Sequence, residues 1–244
     1  CINYWDNGYP SGGNYWSDYT GIDANDDGIG DIPQDVSGGN NQDVFPLMNP
    51  IWDTPLFVWV DDDFDSSIPG WNHTHFNNIQ QGVNSASPNG AVYVYNGNYP
   101  EDVIIDKTLN LIGQHDSLPS MNSLLIVDTD SCIISYFDTY LLTLETSSHN
   151  EIDNCTISGL ATITDASSHN FLHNCLFLDG SSGVRVWDYS DYNRVENNSI
   201  INAINQGIQI GRSYGNIIIN NSIKNTIGDG IHLFCSPSSI VKNN

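Results

Sequence analysis

Apolar and polar residues alternate in short segments along most of the chain. Residues 109–111, 184–186 and 208–210 place apolar side chains at every second position, residues 91–95, 103–105 and 124–127 are short and apolar throughout, and turn residues such as Asn and Gly separate these segments. Such segments are typical of strands that are buried on one face. Residues 74–86 instead follow a helical spacing, which Pro88 ends. The pattern predicts an all-β chain with one short amphipathic helix.

A short phrase with two asparagines recurs in the C-terminal part of the chain. Its second Asn falls at 154, 174, 197, 220 and 243, so the steps are 20, 23, 23 and 23 residues. A fixed period of this length indicates stacked repeats, each of which buries its apolar face only against its neighbours. Within a repeat, two apolar residues flank the second Asn and are expected to point inward, as in the pairs Ile152 and Ile157, and Val195 and Ile200.

These repeats predict a parallel β-helix with coils of about 22 residues, in which strands of successive coils pair about 4.8 Å apart. The helix is expected to cap the first coil, because an uncovered coil exposes its core and its unpaired edge. Asn tolerates the left-handed backbone conformation at a bend, and its amide can bond the same Asn in neighbouring coils. We therefore expect an internal asparagine ladder of Asn154, Asn174, Asn197, Asn220 and Asn243.

Four N-glycosylation sequons accompany this pattern. Three of them start at ladder positions, Asn154, Asn197 and Asn220. These three are expected to face inward, away from a glycosyltransferase. The fourth sequon, at Asn72, is expected to lie in a loop.

The segment before the repeats contains a calcium-type motif. Counted from Asp23, the ligands would be the side-chain oxygens at positions one, three and five and the backbone carbonyl oxygen at position seven. The residue at position nine would bind directly or through water. A glycine permits the sharp turn, and Gln34 replaces the usual twelfth-position Glu. A solvated Asp/Asn/Gly turn is the alternative interpretation. We expect Ca²⁺ to bind at Asp23, Asn25, Asp27, Ile29 and Asp31.

The charge balance limits the ligands. With 29 Asp and Glu against six Lys and Arg, the net charge is −23. This argues against nucleic acid and anionic membranes, which require basic groups, and disfavours uronic-acid polymers unless bound cations intervene. We find no apolar run long enough for a membrane span. The five cysteines do not assign a redox compartment. Because the chain opens at Cys1, we expect a fragment that is truncated at both ends.

Aligning the coils on the asparagine phrase places outward residues in columns. One column contains Thr162, Arg185, Gln209 and His232, and the next contains Thr164, Trp187, Gly211 and Phe234. Exposed aromatic rings can stack on sugar rings, although strands also expose aromatic residues without a ligand. The candidate carbohydrate-binding residues are therefore Trp187, Phe234, Arg185 and His232.

Catalysis and copper binding are weaker hypotheses. A lyase would need a basic residue such as Arg185, and a hydrolase would need two carboxylates about 5–9 Å apart. Asp165 and Asp188 occupy equivalent positions in successive coils, but stacked solvated turns would give the same pattern.

Soft sulfur and imidazole ligands in two adjacent coils would suit copper. However, Cys155 and Cys175 share a column that Asn198 continues, so packed free thiols are expected in preference to a disulfide, and either in preference to copper. His149 and His169 are expected to be exposed turn residues. The full copper hypothesis uses His149, His169, His173, Cys155 and Cys175.

Two parts of the chain resemble known β-helix proteins. The entry from Ile79 to Gly113 resembles the start of pectin-lyase-like right-handed β-helix domains, and the Asn-rich coils resemble the NosD-type branch. Residues 11–48 resemble the segment that closes such domains in secreted surface proteins. The resemblance implies a closing segment at 1–52, a linker and entry strand at 53–60, and a right-handed β-helix at 61–244.

The expected function is a secreted or cell-surface scaffold that is stabilised by calcium and has no catalysis of its own. Its expected partner is a polysaccharide or a cell-surface glycan, bound or used for adhesion. The alternatives are a polysaccharide lyase or glycoside hydrolase of pectin-lyase-like fold, and a copper-handling accessory protein of NosD type.

Overall fold

The computed structural model describes residues 13–24, 28–38, 41–48 and 54–244. The chain forms two compact units, residues 1–54 and 55–244. In the described part of the smaller unit, β1 (Gln34–Val36) pairs antiparallel with β2 (Asn41–Asp43).

The larger unit is a right-handed parallel β-helix. Its one helix in the described residues is α1 (Ile79–Ser85). Sheet I contains β3 (Phe57–Val60), β4 (His75–Phe76), β5 (Ala91–Val94), β7 (Asn110–Gly113), β9 (Ile133–Ser135), β11 (Glu151–Asp153), β13 (Phe171–His173), β16 (Arg194–Glu196), β19 (Ile217–Ile219) and β22 (Ile240–Lys242). Sheet II contains β6 (Asn98–Ile105), β8 (Ser120–Val127), β10 (Asp138–Glu145), β12 (Thr156–Thr164), β14 (Leu176–Leu178), β15 (Val184–Val186), β17 (Ser199–Ile201), β18 (Ile208–Gly211), β20 (Ser222–Lys224) and β21 (Ile231–Phe234).

Pairing of each strand with its counterpart in the next coil turns single positions into columns. Ile152, Leu172, Val195 and Ile218 are successive register partners, and each is no more than 1% exposed. Ile157 and Ile200 are fully buried in the same core. The four inward positions that the phrase predicts are thus confirmed.

Helix α1 is shorter than predicted, because it begins at Ile79 rather than near residue 74. The side chain of Asn78 caps it by accepting a hydrogen bond from the Gln81 N–H at 2.9 Å. The carboxylate of Glu101 accepts the N–H groups of Ile79 and Gln80, which have no partner inside the helix. Residues just before this cap form β4, which pairs with β3.

The predicted ladder is wrong in its membership. The second Asn of every phrase has positive φ, as predicted, but Asn174, Asn197, Asn220 and Asn243 are exposed and Asn154 is half-buried. Strict alternation would turn these side chains inward. The left-handed conformation at each bend shifts the alternation by one residue, so that the next residue faces the core instead. The sequons at Asn154, Asn197 and Asn220 therefore do not face inward.

Two internal ladders replace the predicted one. The first consists of the first asparagines of the phrases, whose side-chain oxygens accept N–H groups from the preceding coil at 2.7–2.9 Å. In the second ladder, the asparagines that follow the bends accept backbone N–H groups from the preceding coil, starting with the N–H of Cys175. The donor–acceptor distances are 2.9–3.0 Å. The members are Asn150, Asn170, Asn193 and Asn216 in the first ladder, and Asn198, Asn221 and Asn244 in the second.

Candidate functional site

The outward columns on the second arm of sheet II occur as predicted. Strands β12, β15, β18 and β21 lie side by side, with Thr162, Arg185, Gln209 and His232 as successive register partners. Gly211 pairs with Phe234 in the neighbouring column. The register of the first predicted column is therefore confirmed, and carbohydrate binding at these residues stays a prediction.

Trp187 lies across the backbone of the next coil. A methyl group at Gly211 would lie 1.9 Å from Cζ3 of the indole, so glycine is required beneath this ring. On the far side, the Trp187 and Phe234 rings stack with a centroid distance of 6.1 Å and an interplanar angle of 8°. Phe234 is 47% exposed. The two rings are therefore nearly parallel and form one aromatic cluster.

Two arginines flank the indole. The guanidinium carbons of Arg185 and Arg212 each lie 5.9 Å from the centroid of a Trp187 ring. The Arg185 Nε donates to Gln209 Oε1 at 3.2 Å, and Arg212 contacts Asp188 at 3.4 Å. Cation–π geometry of this kind holds guanidinium groups beside the ring.

We call Trp187, Phe234, Arg185 and Arg212 the Trp187 platform. Two of the six Lys and Arg residues in the chain thus border one indole. The predicted His232 lies beside this platform, and its Nδ1 is 2.9 Å from a carboxylate oxygen of Asp229. The platform can offer a flat apolar face together with hydrogen-bond donors.

The catalytic candidates lie in stacked turns. The Ala166 N–H donates to the Asp188 carbonyl at 3.0 Å, which places Asp165 and Asp188 at equivalent positions of adjacent coils. Both have positive φ, and Asp165 is exposed. The side chain of Asp188 is 38% exposed and contacts Arg212. These features match the solvated-turn interpretation.

The proposed copper ligands do not converge on one point. Cys155 and Cys175 are buried free thiols, and burial together with Cys155 raises the pKa of the Cys175 thiol, which disfavours the thiolate that binds metals. The exposed His149 and His169 rings stack with a centroid distance of 5.0 Å and an interplanar angle of 4°. Because nitrogen lone pairs lie in the ring planes, two parallel offset rings cannot both point at one ion. His173 instead contacts Glu151 and Asp153.

Within the described residues, one cluster brings three metal-ligating atoms within 4.8 Å of one another, namely Asp61, Asp62 and Asp63. This acidic turn has no further observation that indicates an ion. We therefore interpret these three residues as a solvated acidic turn.

The calcium motif is described only in part. Asn25 and Asp27 lie outside the described residues. Asp23 accepts the Gly28 N–H at 2.8 Å and Asp31 accepts the Ala24 N–H at 2.7 Å, so both carboxylates turn toward the loop. The oxygen donors match calcium chemistry, and calcium binding stays a prediction.

Sequence analysis missed a buried carboxylate in the smaller unit. Asp43 is fully buried and accepts the Asn14 N–H at 2.6 Å and the Trp16 indole N–H at 2.9 Å. A methyl group at Gly13 would lie 1.9 Å from Asp43 Oδ1, so the backbone must approach closely there. Asp43 therefore organises the described part of this unit.

An ionic cluster on sheet I was also missed. Asp153, His173 and Glu196 are successive outward register partners, and Arg194 pairs with Glu196. This hydrogen bond lowers the pKa of Glu196. Aligning the residues on either side of the inward Ile or Val of each phrase would have revealed this column.

Aromatic residues also cluster at the first coils, where no asparagine phrase exists. Trp59 and Tyr93 are register partners whose rings stack with a centroid distance of 6.3 Å. The Phe57 ring stacks on Tyr93 with a centroid distance of 6.4 Å. A cavity of about 190 Å³ is lined by Trp59, Tyr93, Val94, Tyr95, Ile112, Gly113 and Gln114. The repeat alignment could not find this pocket because helix α1 interrupts the period here.

Comparison with known proteins bears on the fold. A family model described as "Right handed beta helix region" matches residues 120–244, slightly more than half of the chain. No curated protein and no solved structure matches significantly. Across the part of the chain that the structure describes, no helix is long and apolar enough to cross a membrane.

Proposed function

The chain belongs to the right-handed β-helix family, and on this premise we propose that it is a scaffold that binds carbohydrate at the Trp187 platform. The observation that carries the proposal is the nearly parallel pair of Trp187 and Phe234, with two guanidinium groups 5.9 Å from the indole. A sugar presents C–H groups on one face and hydroxyl groups at its rim. The rings can cover that face while the arginines donate hydrogen bonds to the rim.

Charge refines the ligand class. The net charge of −23 repels a polyanion at long range, but carboxylates beyond about 8 Å are largely screened at physiological ionic strength. Within contact distance of the indole, Arg185 provides a cation that no carboxylate pairs with among the described residues, whereas Arg212 is paired with Asp188. The favoured ligand is a mainly neutral glycan that carries an occasional acidic sugar. We include a secreted or cell-surface location in the proposal, because such glycans are found there.

Calorimetric titration with neutral, sparsely acidic and polyuronic oligosaccharides tests the proposal. The parent should bind a sparsely acidic glycan, and Trp187→Ala should weaken that binding about tenfold, or ~1.4 kcal/mol. Tyr189→Ala is the matched control, because Tyr189 lies two residues away and is 73% exposed. Equal affinities of Trp187→Ala and the parent, or no binding by the parent, would reject the proposal.

A further inference from the structure

We infer that the first coils carry a second ligand site, which binds one uncharged sugar ring independently of the Trp187 platform. We call it the N-terminal pocket, and its lining includes Trp59, Tyr93, Tyr95, Ile112 and Gln114. The pocket belongs to the same β-helix but lies on sheet I, whereas the Trp187 platform lies on sheet II.

The pocket presents a continuous aromatic and aliphatic face. Trp59, Tyr93 and Ile112 occupy one outward column of β3, β5 and β7. The Trp59 and Tyr93 rings stack within 24° of parallel, so the two rings form one continuous aromatic wall of the pocket. Such a surface suits the C–H face of a pyranose ring, which is wider than a single side chain.

Neighbouring rings hold these walls in place. His75 stacks on Trp59 with a centroid distance of 5.3 Å and an angle of 17°. Phe64 packs against His75 at 5.3 Å and meets the Tyr95 ring edge-on at 6.1 Å. A site whose side chains are already packed loses less conformational entropy on binding.

Polar groups stand at the rim. The Gln114 side-chain oxygen accepts the Asn96 N–H at 3.0 Å, which fixes the orientation of the amide. Its NH₂ group has no hydrogen-bond partner among the described residues, and Tyr95 is 41% exposed. An apolar face with a few oriented donors at its edge is the usual composition of a small-ligand site.

Size and charge define the ligand. The cavity volume of about 190 Å³ is below the roughly 300 Å³ at which pockets accept drug-sized molecules, so one ring fits. No lining residue is charged, and three carboxylates, Asp61, Asp62 and Asp63, directly follow β3. This environment opposes phosphates and uronates. An uncharged pyranose unit satisfies the size, the aromatic face and the charge together.

The test uses the full chain and calorimetric titration with cellohexaose, mannohexaose, xylohexaose and N-acetylglucosamine oligomers. At least one of these neutral oligosaccharides should bind the parent, and Tyr93→Ala should weaken that binding about tenfold. Tyr140→Ala is the matched control, because Tyr140 is 61% exposed on β10 of sheet II. Gln114→Ala, which leaves the core untouched, gives a second loss of affinity if Tyr93→Ala does not fold.

Two results would overturn the inference. One is a parent that binds none of these oligosaccharides, and the other is a Tyr93→Ala or Gln114→Ala variant with the affinity of Tyr140→Ala. In a Trp187→Ala background, Tyr93→Ala should still weaken the binding of neutral sugars about tenfold. Failure of the N-terminal pocket is therefore distinguishable from failure of the Trp187 platform, because the platform is absent from that background.

Discussion

The side-chain oxygen of Asn193 accepts two hydrogen bonds from Asn170, one from its backbone N–H at 2.8 Å and one from its amide at 3.1 Å. The Asn193 amide in turn donates to the Ser167 carbonyl at 2.9 Å. Both asparagines are no more than 1% exposed. Each such residue joins two coils and satisfies backbone groups at a bend, where no strand neighbour can do so.

Replacing Asn193 by alanine should therefore be costly. Asn193→Ala leaves the two Asn170 donors without an acceptor, and each unsatisfied buried group costs about 1–3 kcal/mol. We expect the free energy of unfolding to fall by about 3 kcal/mol in urea titrations that are followed by circular dichroism. Asn205→Ala, in an exposed turn, should stay within about 0.5 kcal/mol of the parent. Similar losses in both variants would contradict the ladder.

The core of the β-helix was predictable because it depends on a short-range rule. Alternation and period identify which residues must be apolar, and they placed Ile152 and Val195 correctly. The ladder was not predictable in the same way. A left-handed residue at each bend exchanges inward and outward positions, and in three phrases the residue after the bend, Asn198, Asn221 or Asn244, is also Asn.

Surface sites depend on long-range register. The column of Trp187 could be aligned because both neighbouring coils carry the same phrase. Trp59 and Tyr93 are register partners although helix α1 lies between them in sequence, and no repeated phrase marks their alignment. The position of Trp187 over Gly211 also depends on a side-chain conformation, which sequence spacing does not determine.

Gly211→Ala should remove the platform without removing an aromatic residue. The added methyl group would overlap the indole of Trp187, so the ring must leave its position against Phe234. We expect acidic-glycan affinity to fall about as far as in Trp187→Ala, roughly tenfold. Gly230→Ala is the matched control, because its added methyl group would meet only the Ile223 side chain, at an ordinary contact distance of 3.9 Å. Unchanged affinity in Gly211→Ala would show that the indole position is unimportant for binding.

The cysteines should differ sharply in reactivity. Burial raises the pKa values of the Cys132 and Cys175 thiols, whereas Cys235 is exposed. In a Cys1→Ser background, iodoacetamide at neutral pH should label Cys235 and leave Cys132, Cys155 and Cys175 unlabelled until the protein unfolds. Mass spectrometry of chymotryptic peptides measures this, because one tryptic peptide, residues 108–185, would contain all three buried cysteines. Rapid labelling of Cys175 in the native protein would disprove its packing and reopen the copper hypothesis.

Asp138 should make stability depend on pH. Burial raises the pKa of its half-buried carboxyl, so folding favours the protonated form. Ionisation of Asp138 therefore lowers the free energy of unfolding. This loss is absent below the unfolded pKa of about 3.9 and grows as pH rises through the folded pKa. Asp138→Asn should therefore raise Tm at pH 7 but not at pH 3. Asp116→Asn, at a side chain that is 91% exposed, should change Tm at neither pH. A variant that is equally stabilised at both pH values would exclude the ionisation of Asp138 as the cause.

Calcium should stabilise the smaller unit through residues 23–31. A ligand that binds only the folded state at a hundred times its Kd contributes about 2.7 kcal/mol. Calcium should therefore raise the Tm of the transition that involves this unit, and Asp27→Ala should abolish the increase. Asp35→Asn keeps a side-chain oxygen to accept the hydrogen bond from Gln42, so this control should retain the response to calcium. Magnesium at the same concentration should give a smaller shift, because Mg²⁺ requires a tighter octahedral shell. If the parent shows no calcium-dependent shift, the motif is a solvated turn and Asp43 alone must hold the segment together.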